Sequence, residues 1–259
     1  MRLLFPEAIT DPELAQLYAY PADSAVSSGG RPWVRANMVE SVDGAASVDG
    51  RSGGLSGDAD RQTFRVLRSL ADVVLVGSGT VRDEHYRPAQ VSAMVPGLRA
   101  GRSATPPIAV ISGRLNLDLS SSLFTDAPPD ARTIVITSEK APLDQRKAVA
   151  EHADVIAAGT DGADLGAALS ALAERGLGRV LTEGGPHLLA QLASAGHLDE
   201  LCVTVSPVLG AGHAGRILAG PSLPGGLVLS LGHVLEDQGF LLCRYLVTPG
   251  AARPPGSAR

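Results

Sequence analysis

Three glycine clusters stand directly after strand-like runs, where glycine lets a backbone turn tightly and approach a ligand with no Cβ in the way. In LTEGGPHLL (181–189) the strand ends at Glu183, Gly184 and Gly185 turn the chain, and Pro186 opens a helix. The unpaired N–H groups and positive dipole end of that helix suit a pyrophosphate. The same pattern also makes an ordinary strand–turn–helix junction. In LVGSGTVRDE (75–84) Gly77 and Gly79 flank Ser78 at the end of a buried strand, the edge at which open α/β sheets bind ligands. Thr80 can donate to a phosphate oxygen or cap a short helix. The two turns share one nucleotide cleft only if their strands are neighbours. The third cluster, GAGHAG (210–215), matches G-x-G-x-x-G, which in a dinucleotide fold must open a helix. Gly220, Pro221 and Pro224 follow too closely for one, so this stretch is expected to be a surface loop.

Other residues able to do chemistry are few. Glu183 can move a proton if burial raises its pKa, or can accept N–H bonds from its own turn. Asp43, in SVDG (41–44), is either a working carboxylate or the Asx anchor of that turn. His187, in the first turn of its helix, can touch a phosphate or lie solvated. No histidine pair has H-x₃-H or H-E-x-x-H spacing, so no metal site is expected. Cys202 and Cys243 sit in apolar runs and read as small buried hydrophobes.

These residues need a scaffold, and the chain supplies alternating strands and helices. WVRANMVESV (33–42), DVVLVG (72–77), PIAVIS (107–112), TIVIT (133–137), DVIAAG (154–159), RVLTEGG (179–185) and ELCVTVSPVLG (200–210) read as strands. Helices are expected over 59–71 with Asp58 as cap, over 141–153, from an Asp164 cap to Arg175, and over 186–196. Strands at 229–237 and 240–247 close the chain as a hairpin. The pattern is that of an α/β domain with a mostly parallel sheet and a C-terminal antiparallel hairpin. Residues 1–31 read as an N-terminal extension, 32–248 as one domain, and 249–259 as a disordered tail.

Composition narrows the function. The 259 residues are 44% hydrophobic, enough for a large core, and carry a formal charge of −5. One Trp, four Tyr and four Phe leave an aliphatic core and few stacking platforms, so nucleic-acid binding is not expected. The start, MRLLFPEAIT, does not read as a signal peptide, and no apolar run reaches membrane-spanning length. The expected setting is the reduced cytoplasm, with no membrane partner.

Taken in order, SVDG (41–44), VLRSLAD (66–72), VLVGSGTV (74–81), LTEGGPHLL (181–189), LDEL (198–201) and PVLGAG (207–212) resemble the RibD C-terminal reductase family of riboflavin biosynthesis. No deaminase signature accompanies them. The resemblance implies a dihydrofolate-reductase-like three-layer fold, NADPH as hydride donor, a small heterocyclic substrate and a homodimer. It implies reduction of a ribosylamino-uracil phosphate to its ribityl form. It has Thr80 and Glu84 face cofactor or substrate, beside the Gly79 turn read as cofactor-binding, and makes Gly184, Gly185, Pro186, His187 and Leu188 the cofactor's phosphate cradle. Glu183 then faces the substrate and, with Asp43, is a candidate catalytic residue. Ser41 and Gly44 line the nicotinamide side. For a 2′-phosphate, Ser112 and Arg114 after one strand are favoured over Ser138 and Lys140 after another.

The sequence departs from the family where an Asp-Asp-Pro stretch is usual, reading RDEHYRP (82–88) instead. His85 and Tyr86 are therefore candidate substrate contacts, and Tyr86 and Trp33 are candidate rings for packing on a flat heterocycle. Phe64, Phe240 and Tyr245 are assigned to the core. The departure keeps two alternatives open: dihydrofolate reduction, and a silent NADPH-binding module.

Overall fold

The computed structural model describes residues 1–22, 31–92 and 97–248. The tail 249–259, residues 23–30 of the N-terminal extension, and residues 93–96 lie outside the described residues.

The strands are β1 (Arg2–Phe5), β2 (Ile9–Thr10), β3 (Trp33–Ser41), β4 (Val73–Gly77), β5 (Ile108–Ile111), β6 (Ile134–Thr137), β7 (Asp154–Ala157), β8 (Arg179–Thr182), β9 (Glu200–Ser206), β10 (Leu229–Asp237) and β11 (Phe240–Val247). They form one sheet in the order β2-β1-β10-β11-β9-β3-β8-β4-β5-β6-β7. From β9 to β7 all neighbours are parallel. The β10–β11 hairpin is antiparallel and joins the sheet through β9. This is the expected architecture, a mostly parallel centre with an antiparallel flank.

The parallel strands are buried on both faces, which is why they read as unbroken Val/Ile/Leu runs. Val74 and Val76 of β4 face one apolar cluster, with α2 (Asp58–Leu70), α4 (Ser122–Thr125) and α5 (Leu143–His152). Val73 and Leu75 face the other, with α6 (Leu165–Ala173) and α7 (Pro186–Ser194). Two cores on either side of one sheet make three layers.

Local signals set the helix ends. Asp164 caps α6 by accepting from the Ala167 N–H at 2.7 Å. Pro186 starts α7 at its first position. Asp58, expected as the cap of α2, is instead inside its first turn, and Gly57 takes the cap position. The charge of Asp58 still favours that end of the helix dipole.

The N-terminal segment is more than a lead-in. β1 pairs antiparallel with β10, and α1 (Leu14–Leu17) follows β2. Tyr18 is buried edge-on against His233, 4.7 Å between centroids, and Tyr20 stacks at 4.0 Å on the buried Arg35. Arg244 donates to the Leu17 carbonyl and, with Arg35, pairs to the buried Glu200. Residues 1–20 thus close over charges on β3, β9 and β11. Cys202 and Cys243 are buried and unpaired. No helix among the described residues is long and apolar enough to cross a membrane.

Candidate active site

β8 lies between β3 and β4, so the C-terminal ends of these strands meet at one edge of the sheet. The neighbour relation left open by the sequence is therefore met. The Gly77 N–H donates to the Gly184 carbonyl at 2.9 Å, tying the two glycine turns together. α3 (Ser78–Asp83) starts from the first turn and α7 from the second, so two helix N-termini meet at the same edge.

Gly184 has φ +83°, in the region that favours glycine, and a cis peptide joins it to Gly185. A Cβ on Gly185 would lie 2.5 Å from the Thr80 Oγ1, so this close approach also needs glycine. The result is an open cradle bounded by Thr80, Gly185, Pro186 and His187, able to take a pyrophosphate on backbone N–H groups. The residues present fit a nicotinamide dinucleotide.

The cradle forms one end of a cleft of about 690 Å³. Of the predicted residues, Thr80, Glu84, His85, Tyr86, Glu183, Gly185, Pro186 and His187 line it. Leu188 does not; it is buried in the core under α7. Gly79 sits in the first turn of α3 with open space around it and does not line the cleft. Ser112 is buried and Arg114 exposed after β5, both outside the cleft lining.

The floor holds a residue the sequence reading missed. Arg68 of α2 forms a bidentate pair with Glu183, Nε to Oε1 and Nη2 to Oε2, each 2.7 Å. The Tyr86 hydroxyl donates to Oε2 at 2.5 Å. Arg68 stacks at 4.1 Å on Phe64, a half-buried cleft residue and not the core residue expected. Burial opposes the charge on Arg68, yet Glu183 keeps its guanidinium protonated above the ordinary range. Burial, then the Glu183 charge, pushes the Tyr86 phenol well up, so it stays a neutral donor. Glu183 therefore does not accept from its own turn, and three hydrogen bonds occupy the carboxylate that was a proton-donor candidate. Arg68 stands four residues after Phe64 on the inward stripe of α2; a cation on that stripe was the available signal.

The SVDG turn is a latch. Ser41, buried, donates to Asp43, and the Asp43 carboxylate accepts from the N–H groups of Gly210 (2.9 Å) and Ala211 (2.8 Å). These bonds hold the Asp43 pKa down to about 2, and its carboxylate does not line the cleft. Asp43 is thus an anchor for the 207–212 loop, the turn role the sequence also allowed, and Gly44 (φ +84°) with Ser41 shapes the turn without lining the cleft. The loop continues to Gly215 and Arg216, which do line it. GAGHAG forms no helix, as expected.

In the divergent stretch, the Glu84 carboxylate accepts from the Ser52 N–H at 3.0 Å, and His85 takes a left-handed φ of 51°. The His85 Nε2 lies 3.3 Å from Arg51 Nη2. Trp33 donates to Glu200 in the buried charge cluster and is not a cleft ring.

The sequence profile of the RibD C-terminal domain matches residues 32–238. The 2,5-diamino-6-ribosylamino-4(3H)-pyrimidinone 5′-phosphate reductase of Archaeoglobus fulgidus is 30% identical over 181 residues, covering 69% of this chain and 81% of that protein. The riboflavin biosynthesis protein RibD of Mycobacterium tuberculosis is 27% identical over 181 residues, 70% of this chain but 43% of its own length. Among solved structures, a pyrimidine reductase-like protein from Corynebacterium diphtheriae superposes with a TM-score of 0.78 at 28% identity, over 92% of this chain and 99% of that one.

Proposed function

The chain belongs to the RibD C-terminal domain family, and from that membership we propose that it reduces the ribosyl group of a ribosylamino-pyrimidine 5′-phosphate to the ribityl form with NADPH. The observation that carries the proposal is the junction of Gly77 with Gly184, which brings two helix N-termini and an open glycine cradle to the edge of a cleft sized for a nucleotide.

When bound, the nicotinamide supplies the hydride. The chain supplies position and dryness. Backbone N–H groups at the start of α7 and the Thr80 hydroxyl take the pyrophosphate. After β5, at the C-terminal edge of the sheet, the exposed Arg114 is the group proposed for a 2′-phosphate, with the buried Ser112 supporting its turn. Glu183, fixed by Arg68 and Tyr86, forms a rigid polar floor that orients the substrate, and Phe64 and Tyr86 offer ring faces to its heterocycle. His85 lines the substrate end.

The test is NADPH consumption with the ribosylamino-pyrimidinone 5′-phosphate, with NADH and dihydrofolate as controls. Turnover that prefers NADPH and the ribosyl substrate is expected. Turnover of dihydrofolate alone moves the activity to pterin reduction. Tight NADPH binding without turnover of either makes the chain a binding module.

A further inference from the structure

A second cavity, of about 460 Å³, adjoins the cleft, and His85, Tyr86 and Arg87 line both. This segment is their common wall. The left-handed turn at His85 sends Tyr86 inward, and the Tyr86 N–H donates to the Val81 carbonyl at 3.1 Å. The hydroxyl is pinned to Glu183 at 2.5 Å, so the ring cannot swing aside without leaving a buried carboxylate with one donor fewer. Beyond the wall the second cavity is lined by Arg82, Arg87 and Ser122. Arg82 and Arg87 are exposed; Arg82 Nη1 donates to the Asn116 carbonyl at 3.2 Å, and neither arginine forms an ion pair among the described residues. Asp118, the carboxylate there, accepts from the N–H and hydroxyl of Ser120 and stays charged, but the two arginines outnumber it. The space suits a negatively charged extension of a flat ligand.

We propose that Tyr86 sets the length of the substrate: its ring ends the cleft at the Glu183 floor and shuts an anionic extension out of the second cavity. This rests on the reductase reading for what the cleft holds. Specificity comes here from a wall against longer ligands, not from an added attraction.

The probe is folate, a flat pteridine with a long dicarboxylate tail, whose binding needs no turnover. Its affinity is measured by calorimetry for the wild-type chain, Tyr86→Phe and Tyr86→Ala, with circular dichroism as the check on folding. Tyr86→Phe keeps the ring but loses its pin to Glu183, and is expected to gain less than Tyr86→Ala. Tyr86→Ala joins the cavities and is expected to gain about tenfold or more, the range over which pocket size discriminates. If Tyr86→Ala does not fold, Tyr86→Val, which keeps an aliphatic contact with the core, carries the same comparison. A folded small-residue variant with no gain, or an equal gain in Tyr86→Phe, overturns the proposal. A wild-type chain inert toward the ribosyl substrate overturns the reductase reading instead and leaves the folate result to be read by itself.

Discussion

The Thr80 Oγ1 stands 2.5 Å from where a Cβ on Gly185 would be, so the first turn of α3 and the turn before α7 are fitted to one another. That fit makes the two residues energetically coupled, and the phosphate proposed for the cradle depends on both. Gly185→Ala should push Thr80 off its rotamer and weaken NADPH binding about tenfold or more. Thr80→Ala by itself should cost less, and the double variant should bind better than Gly185→Ala alone. A fluorescence titration of NADPH across the four proteins measures the cycle; additive losses would mean the two turns do not share the cradle.

Arg68 and Glu183 form a buried pair whose halves depend on each other. Arg68→Met leaves Glu183 in the floor with Tyr86 as its remaining side-chain donor, and should destabilise the fold by about 3–5 kcal/mol. Replacing both, as Arg68→Met with Glu183→Leu, should recover much of that loss while abolishing turnover. Urea unfolding followed by circular dichroism separates the two outcomes.

Asp43 links acidity to the loop beside the cleft. Its pKa falls from 3.8 to about 2 in the fold, held by Ser41, Gly210 and Ala211. A depressed carboxylate pKa stabilises above the unfolded value and loses that contribution as pH falls through the folded one. The latch should therefore hold above about pH 4 and release toward about pH 2. Asp43→Ala should release it at neutral pH. Faster hydrogen exchange at the Gly210 and Ala211 amides, with the core amides unchanged, is the expected readout.

His233 should make stability fall on mild acidification. Burial, then the charge of Arg244, lowers its pKa from 6.5 to about 4. Between these values the unfolded chain binds the proton that the folded chain refuses, so stability drops as pH falls through that window. His233→Phe should flatten the dependence between pH 6.5 and about 4. Melting temperatures taken across that range test it; an unchanged slope would assign the acid sensitivity elsewhere.

Much of this protein was legible along the chain. Parallel strands such as 73–77 announce themselves because burial on both faces demands an unbroken apolar run. Asp164 and Pro186 mark helix starts because capping is a local matter of one side chain or one missing N–H. The glycine turns, and the order of motifs around them, were enough to name the family. β1 was not legible, since four residues with an irregular pattern mean nothing until β10 supplies the partner. Asp43 showed its turn but not its tie to residues 210 and 211, far away in sequence.

What the sequence by itself determined is the succession of elements, the places where glycine lets the backbone turn tightly, and the stretch at 82–88 that differs from the family. The first two follow from local rules of periodicity, capping and backbone freedom, and the third from the resemblance to the family. What only the tertiary structure decided is which charges meet. Arg68 and Glu183 are 115 residues apart, and Tyr86 is 97 from Glu183, yet they share one buried site. Burial forces each of these groups to find a partner, but the partner is set by which strands lie side by side. That pairing binds the Glu183 carboxylate to Arg68 and Tyr86, and sets the Tyr86 ring where it lines two cavities.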